Sequence, residues 1–210
     1  MTRIIIADDH PIVREGLKKI LEKTNDILVA GEAGTGEELL GLVRESDCDI
    51  VLLDITMPGR GGLEILEQLR AEKPGVKVLV LSVHPEEYYA VRVLKAGASG
   101  YLNKEKAPAE LIKAIRKVAL GGKYVSPALA EMLAFELETG RDRTPHELLS
   151  NREFQVMCLI ASGKTVSQVA AELSLSVRTI STYRSRILEK MKMKSNAELT
   201  RYAIKNQLVD

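Results

Sequence analysis

Cysteine is nearly absent: Cys48 and Cys158 are the two in 210 residues. They lie far apart in apolar neighbourhoods, with no second cysteine at metal or redox spacing, so buried reduced thiols are expected rather than a disulfide. Long apolar runs are missing as well. None approaches the roughly 20 residues that span a bilayer, and the first residues lack a secretory pattern, so a soluble cytoplasmic protein with no membrane partner is expected. Internal repeats, coiled-coil heptads and low-complexity tracts are also absent, which leaves ordinary globular domains.

The length suffices for two modest domains, each with its own core. A formal net charge of +1 conceals an uneven distribution. From Ser150 onward ten basic residues stand against five acidic, a balance of +5, while the rest of the chain carries 20 basic and 24 acidic residues, a balance of −4. An acidic front and a basic back imply different partners, the back one a polyanion.

Between Arg3 and Leu120 short β-rich apolar runs alternate five times with amphipathic helical patterns. Strands are predicted over 3–7, 27–33, 49–54, 77–82 and 99–103, and helices over 11–23, 36–45, 62–72, 86–96 and 108–120. Pro11 and Pro108 suit a first helical turn, and Gly97 suits a helix end. "TGEE" at 35–38 is a capping box in which Thr35 and Glu38 satisfy each other's free amides. The alternation predicts an α/β architecture, a doubly wound five-stranded parallel sheet covered on both faces. Residues 1–121 are assigned to this domain, and 122–147 to a linker with a short helix at 126–138 and a polar stretch at 139–147. Residues 148–210 form a second, smaller all-α domain, where capping boxes at "SNRE" (150–153), "TVSQ" (165–168) and "SNAE" (195–198) announce three of four short helices.

In such a sheet, ligands bind beyond the carboxyl ends of the strands, at the switch in strand order. Asp8 and Asp9 end the first strand, Asp54 the third and Ser82 the fourth, and Lys104 follows the fifth. Three carboxylates on one rim repel one another, and a divalent cation with oxygen ligands relieves this. Mg2+ keeps several waters and readily adds a phosphoryl oxygen. Asp54 can then act as a nucleophile toward phosphorus, with Lys104 and the Ser82 hydroxyl on the transferring group. Each residue alone has a plainer reading: Asp9 as the N-cap of the helix at Pro11, Lys104 as a solvated surface lysine, His10 as a polar neighbour at the site mouth. The spacing of all five together favours phosphoryl chemistry.

The segment "KTVSQVAAELSLSVRTISTYRSRILEKM" at 164–191 has the form helix, tight turn, helix. Its first helix is expected to bury Val166, Val169, Ala170 and Leu173, while Leu175 plugs the turn and Ser176 caps the second helix. On that helix Val177, Ile180, Tyr183, Ile187 and Met191 form an apolar stripe. At about 100° per residue, Arg178, Thr182, Ser185 and Glu189 fall opposite, with Ser181 and Arg186 beside them. That polar face, short-chained in its middle and fringed by arginine, suits a DNA major groove, and its plainer reading is a solvated face on a helical bundle. Arg184 points nearer the core and is expected to reach out to a phosphate.

Taken together, "ADDH" after strand one, "LLDITMPGRGG" around Asp54, "LS" after strand four, "GYLNK" at strand five and "LSNREFQVMCLIASG" at 149–163 resemble a known pattern. The chain is similar to two-component response regulators of the NarL/FixJ family, in which a flavodoxin-like receiver is joined to a LuxR-type helix-turn-helix domain. The resemblance implies that Asp54 accepts phosphate from a sensor histidine kinase. It also implies that Asp9 ligates Mg2+ directly, Asp8 through water and Thr56 through its carbonyl, with Asp54 itself in the metal site. Lys104 would pair with the phosphoryl group, and Ser82 and Tyr101 would form a switch pair. Double-stranded DNA is the implied partner, faced by Ser181, Thr182 and Ser185. Lys164, Thr165, Arg178, Thr179, Arg184, Arg186 and Lys190 complete the expected DNA-contacting set, with homodimerisation on phosphorylation and RNA polymerase as a candidate partner. Glu105 stands where many receivers place proline, which argues against a cis peptide there. The enzymatic rival is an aspartate-dependent phosphohydrolase, which has an acid two residues after its nucleophile. Thr56 occupies that position here, so an enzyme is not expected.

Overall fold

Apolar runs such as Ile4 to Ile6 and Ile50 to Leu53 can bury both faces of a strand only inside a sheet with helices on either side. They lie there in the computed structural model, which describes the chain except residues 58, 60, 84, 85, 140–143, 207 and 210 and the side chains of 87, 88 and 135–139. Two compact units form, Met1–Glu138 and Thr139–Asp210. The sequence expectations for the polar stretch at 140–143 and for positions 58 and 60 of the turn after Asp54 fall outside the described residues.

In the first unit β1 (Thr2–Ala7), β2 (Ile27–Ala33), β3 (Ile50–Asp54), β4 (Lys77–Ser82) and β5 (Gly100–Asn103) pair in parallel in the order β2-β1-β3-β4-β5. The doubly wound sheet expected from the alternation is the one that forms. Ile4, Ile5 and Ile6 have no exposed surface, and burying each contributes about 2 kcal/mol. The covering helices are α1 (Pro11–Leu21), α2 (Gly36–Glu45), α3 (Gly62–Glu72), α4 (Glu86–Lys95) and α5 (Ala107–Ala119), followed by α6 (Pro127–Thr139). Register decides what the sheet presents at its carboxyl edge. Ala7 pairs with Leu53, Asp54 with Leu81 and Ser82 with Asn103, so the polar groups that end or follow these strands share one rim.

Local capping departs from expectation by one residue. Thr35 accepts the Glu38 amide as predicted, but the Glu38 carboxylate takes the amide of Gly34 rather than that of Thr35. The segment after α5 departs further. Instead of leaving the sheet as a linker, residue 124 lies along the outer edge of β5: the Tyr101 amide donates to the Tyr124 carbonyl, and the Tyr124 amide to Ser99. Cys158 is buried, whereas Cys48 is only half-buried; burial pushes the Cys48 thiol up to about 11. Among the described residues no helix is long and apolar enough to cross a membrane.

The second unit contains α7 (Asn151–Ala161), α8 (Val166–Glu172), α9 (Val177–Lys190) and α10 (Asn196–Lys205). Boxes at Ser150/Glu153 and Thr165/Gln168 form as expected. At "SNAE" only half a box forms, because Glu198 accepts from the Lys194 amide instead of Ser195. A box absent from the sequence reading, Thr144 with Glu147, opens a one-turn 3-10 helix at Pro145–Leu148 inside the stretch read as linker. Its His146 ring bonds the Tyr202 hydroxyl at 2.8 Å and tilts against Phe154.

Helix ends use the left-handed closure in which two amides return to the last turn. Gly163 fills that position after α7, but Ser174 fills it after α8 at φ 52° and Lys192 after α9 at φ 54°. A side chain in that region costs about 1–2 kcal/mol, offset in part by the extra chain entropy glycine loses on folding. Ser174→Gly should therefore stabilise the helical unit by about 0.5–1 kcal/mol, and Ser174→Val should destabilise it, as read from urea unfolding midpoints.

Candidate functional site

The rim is assembled from loops that each leave a buried strand at its carboxyl end. Asp8 and Asp54 are buried, Asp9 is partly exposed, and the Lys104 ammonium stands between the first two, 2.7 Å from Asp8 Oδ2 and 2.6 Å from Asp54 Oδ2. Burial by itself would lower the Lys104 pKa, but the Asp54 and Asp8 carboxylates outweigh it and hold the ammonium above the ordinary lysine value of 10.5. The plainer reading of Lys104 as a solvated surface lysine fails on this geometry. So does Asp9 as a helix cap, because the N-cap of α1 is His10, with no side-chain cap bond.

The backbone around the acids is held at several points. The Asp8 amide donates to Ala33, the Asp8 carbonyl accepts from Arg14 Nη1 at 2.7 Å, and Asp8 Oδ1 accepts the His10 amide at 2.9 Å. Arg14 also reaches Glu32 on β2. On the other side Asp54 Oδ1 accepts both the amide and the hydroxyl of Thr56, at 2.9 and 2.7 Å. Thr56 was expected to act through its carbonyl, and its clamp on the Asp54 carboxylate was missed. The readable signal was a threonine two residues after an aspartate, the spacing at which such side chains bond locally. Ser82 and Tyr101 are buried, and the Lys104 amide donates to the Ser82 carbonyl at 2.8 Å. Tyr101, the other member of the expected switch pair, lies inside the fold with no exposed surface. The peptide between Lys104 and Glu105 is trans.

A divalent cation fits this set. Asp8, Asp9, His10 and Asp54 each offer a ligand atom within 4.8 Å of the others. Asp9 Oδ1 is buried without a hydrogen bond, the His10 Nδ1 lying 2.9 Å away without the geometry of one. Three carboxylates against one ammonium leave two negative charges, which one dication balances. The three carboxylates supply hard oxygen donors, which a hard divalent cation takes.

In the helical unit Arg178, Ser181, Thr182, Ser185, Arg186 and Glu189 are exposed along one side of α9, while Ile180 and Ile187 are buried on the other. Val177, assigned to the apolar stripe, is instead 50% exposed; it opens the helix ahead of the turns that pack. Val166 and Leu175 are half-buried rather than enclosed. Among the described residues the Arg178 and Arg186 side chains make neither hydrogen bond nor ion pair. The other expected contacts are engaged within the unit: Lys164 with Glu172, Arg184 Nε with Asn196 Oδ1 at 2.6 Å, and Lys190 with the buried Glu153 at 2.6 Å. Thr165 and Ser176 serve as caps, and Thr179 bonds the Ser176 hydroxyl. The Thr182 and Ser185 hydroxyls donate back to the carbonyls of Arg178 and Ser181. Arg152 is buried and reaches the Leu173 carbonyl at the start of the turn, a structural role that counting charges did not reveal.

Residues 4–116 match the response regulator receiver domain, and residues 147–203 match the bacterial regulatory proteins of the luxR family. The chain therefore belongs to the two-component response regulators, and within them to the NarL/FixJ family with a LuxR-type DNA-binding domain. It is 38% identical over 209 residues to the response regulator UvrY of Escherichia coli (strain K12), covering 99% of this chain and 96% of that one. To the response regulator GacA of Pseudomonas viridiflava it is 39% identical over 211 residues, covering 100% and 99%. Among solved structures it resembles RcsB from Salmonella enterica serovar Typhimurium, bound to promoter rprA in the presence of the phosphomimetic BeF3-. That match has a TM-score of 0.68 and 27% identity over 96% of this chain and 98% of RcsB.

Removing the ammonium should leave Asp8 and Asp54 buried and facing each other. Lys104→Met is expected to cost the receiver unit about 3 kcal/mol at neutral pH in urea unfolding, with part of the loss recovered by Mg2+. Because the folded pKa of Lys104 is raised, its contribution is complete below pH 10.5 and is lost as the pH climbs through the folded value. The wild type should thus lose stability more steeply than Lys104→Met above that pH.

Proposed function

We propose that this protein is a phosphorylation-switched transcription regulator whose phospho-acceptor is Asp54. The observation that carries this reading is the Lys104 ammonium fixed 2.6 Å from Asp54 Oδ2 within a ring of carboxylates. A carboxylate nucleophile toward phosphorus needs a preorganised cation beside the group it receives. A sensor histidine kinase is the donor: an Asp54 oxygen attacks the phosphorus of a phosphohistidine, the P–N bond breaks, and the released imidazole takes up a proton. Asp8, Asp9 and Asp54, with the Thr56 carbonyl, would hold Mg2+, which when bound offsets charge on the transferring group.

Once Asp54 carries the phosphoryl group, Lys104 and the Ser82 hydroxyl have new acceptor oxygens, and the loop after β4 is drawn toward them against a Tyr101 ring already in place. The surface of α4, β5 and α5 changes shape, favouring a homodimer. In the helical unit α9 enters the major groove, with Ser181, Thr182 and Ser185 on base edges and Arg178 and Arg186 on phosphates. The RcsB complex with a promoter and a phosphomimetic supports both halves of this reading. The exposed Ile204 on α10 supports a dimer contact in the DNA-binding unit. DNA as partner implies a cytoplasmic location, with RNA polymerase as the machinery regulated.

Exposure to a small phosphodonor and Mg2+ should raise the intact mass of the wild type by one phosphoryl group and shift it to a faster-sedimenting species. Asp54→Asn should do neither, and a wild type that takes no phosphoryl group would refute the assignment. Anisotropy titrations at several salt concentrations separate the DNA roles. Arg186→Ala should weaken binding alike on operator and random DNA and lower the salt slope by about 1. Thr182→Ala should instead narrow the preference for the operator.

A further inference from the structure

The helical unit begins at residue 139, so any signal carried along the chain passes through the residues after α5. Those residues bind the receiver at one particular place. Tyr124 lies against the outer edge of β5, accepting from the Tyr101 amide at 3.1 Å and donating to the Ser99 carbonyl at 2.9 Å. The approach is close enough that a Cβ on Gly100 would stand 2.6 Å from the Tyr124 carbonyl oxygen. Side chains fasten the same segment to both flanking helices. The Tyr124 hydroxyl donates to Glu110 Oε2 on α5 at 2.6 Å, and the Ser126 hydroxyl bonds Glu86 on α4. Lys123 donates to the Ala98 carbonyl.

β5 is only four residues long and carries two things at once. Lys104, at its tip, is bonded to Asp54 and Asp8; Tyr101, within it, holds the segment after α5 through its own amide. A displacement of the ammonium toward a phosphoryl group pulls on the strand that holds this segment. Two backbone hydrogen bonds are few enough for a modest free-energy difference to shift their population.

We propose that Lys123–Ser126 is a coupling strand, docked on the β5 edge and clamped by Tyr124–Glu110 and Ser126–Glu86, whose hold on the receiver transmits the state of Asp54 to the helical unit. This rests on Asp54 being the phospho-acceptor. Tyr124 and Glu110 act as positioning residues, distant from the acidic rim in role. They should be needed for the response to phosphorylation and not for phosphorylation itself.

The test uses the full chain as wild type, Tyr124→Phe and Glu110→Gln, each with and without a small phosphodonor and Mg2+. Intact mass reports phosphorylation, hydrogen exchange reports the peptides containing Tyr101 and Tyr124, and anisotropy reports DNA affinity. In the wild type, phosphorylation should change exchange at both peptides. Both variants should take the phosphoryl group normally and exchange faster at Tyr124 in either state. The gain in DNA affinity on phosphorylation should shrink by about threefold or more. Variants that are phosphorylated and keep the full wild-type gain would overturn the coupling strand alone. A wild type that takes no phosphoryl group would overturn the phospho-acceptor reading and this one with it.

Discussion

One ammonium between two buried carboxylates governs the receiver. Lys104 ties the tip of β5 to Asp54 at the end of β3 and to Asp8 beyond β1, joining three strands that are not all neighbours in the sheet. Without that charge the two acids would face each other in a poorly hydrated place, where like charges repel strongly and water offers little relief. Structure and chemistry therefore depend on the same atom. What stabilises the resting rim is also what a phosphoryl group on Asp54 would compete for, so its arrival would rearrange a contact the fold uses.

Much of this was legible in the sequence because two periodicities and one topological rule suffice for it. Apolar runs marked the central strands, the alternation marked a parallel sheet, and a parallel sheet collects its strand ends on one rim. Asp8, Asp54, Ser82 and Lys104 followed directly. What escaped were contacts set by a single residue of reach. An S/T-x-x-E pattern marks a helix start but does not say which amide the acid takes, so Glu38 and Glu198 each serve the residue before the expected one. Thr56 was assigned a carbonyl role, while its amide and hydroxyl grip Asp54. Tyr124 left no strand signal, since one bridged residue is too short to show a period of two.

The charge balance pointed to a polyanion partner, but it did not show which cations stay unpaired. A balance of +5 does not say where the cations lie, and several of them are engaged by partners within the unit. Arg152 supports the turn before α9, Lys190 neutralises the buried Glu153, and Lys164 pairs with Glu172. Burial would raise the Glu153 pKa, but Lys190 and the Ser150 cap outweigh it and hold the carboxyl below its usual range. Lys190 is therefore as much a core counter-ion as a surface charge. The exposed side of α9 is left to Arg178 and Arg186 around small hydroxyls, a surface whose chemistry suits phosphate anchoring at the edges and close backbone approach in the middle.

A switch needs an element with two arrangements close in free energy, and the central strands cannot supply one. β1, β3 and β4 are bonded on both sides and buried on both faces, so moving them would expose apolar surface worth several kcal/mol. β5 differs. It is short, pairs with β4 on one side, and meets a single bridged residue on the other. The same strand leads directly into Lys104, which is bonded to Asp54 and Asp8. Displacement is therefore least costly where the charge event is felt most directly, and the strand that feels it is also the one holding the only covalent path to the DNA-binding unit.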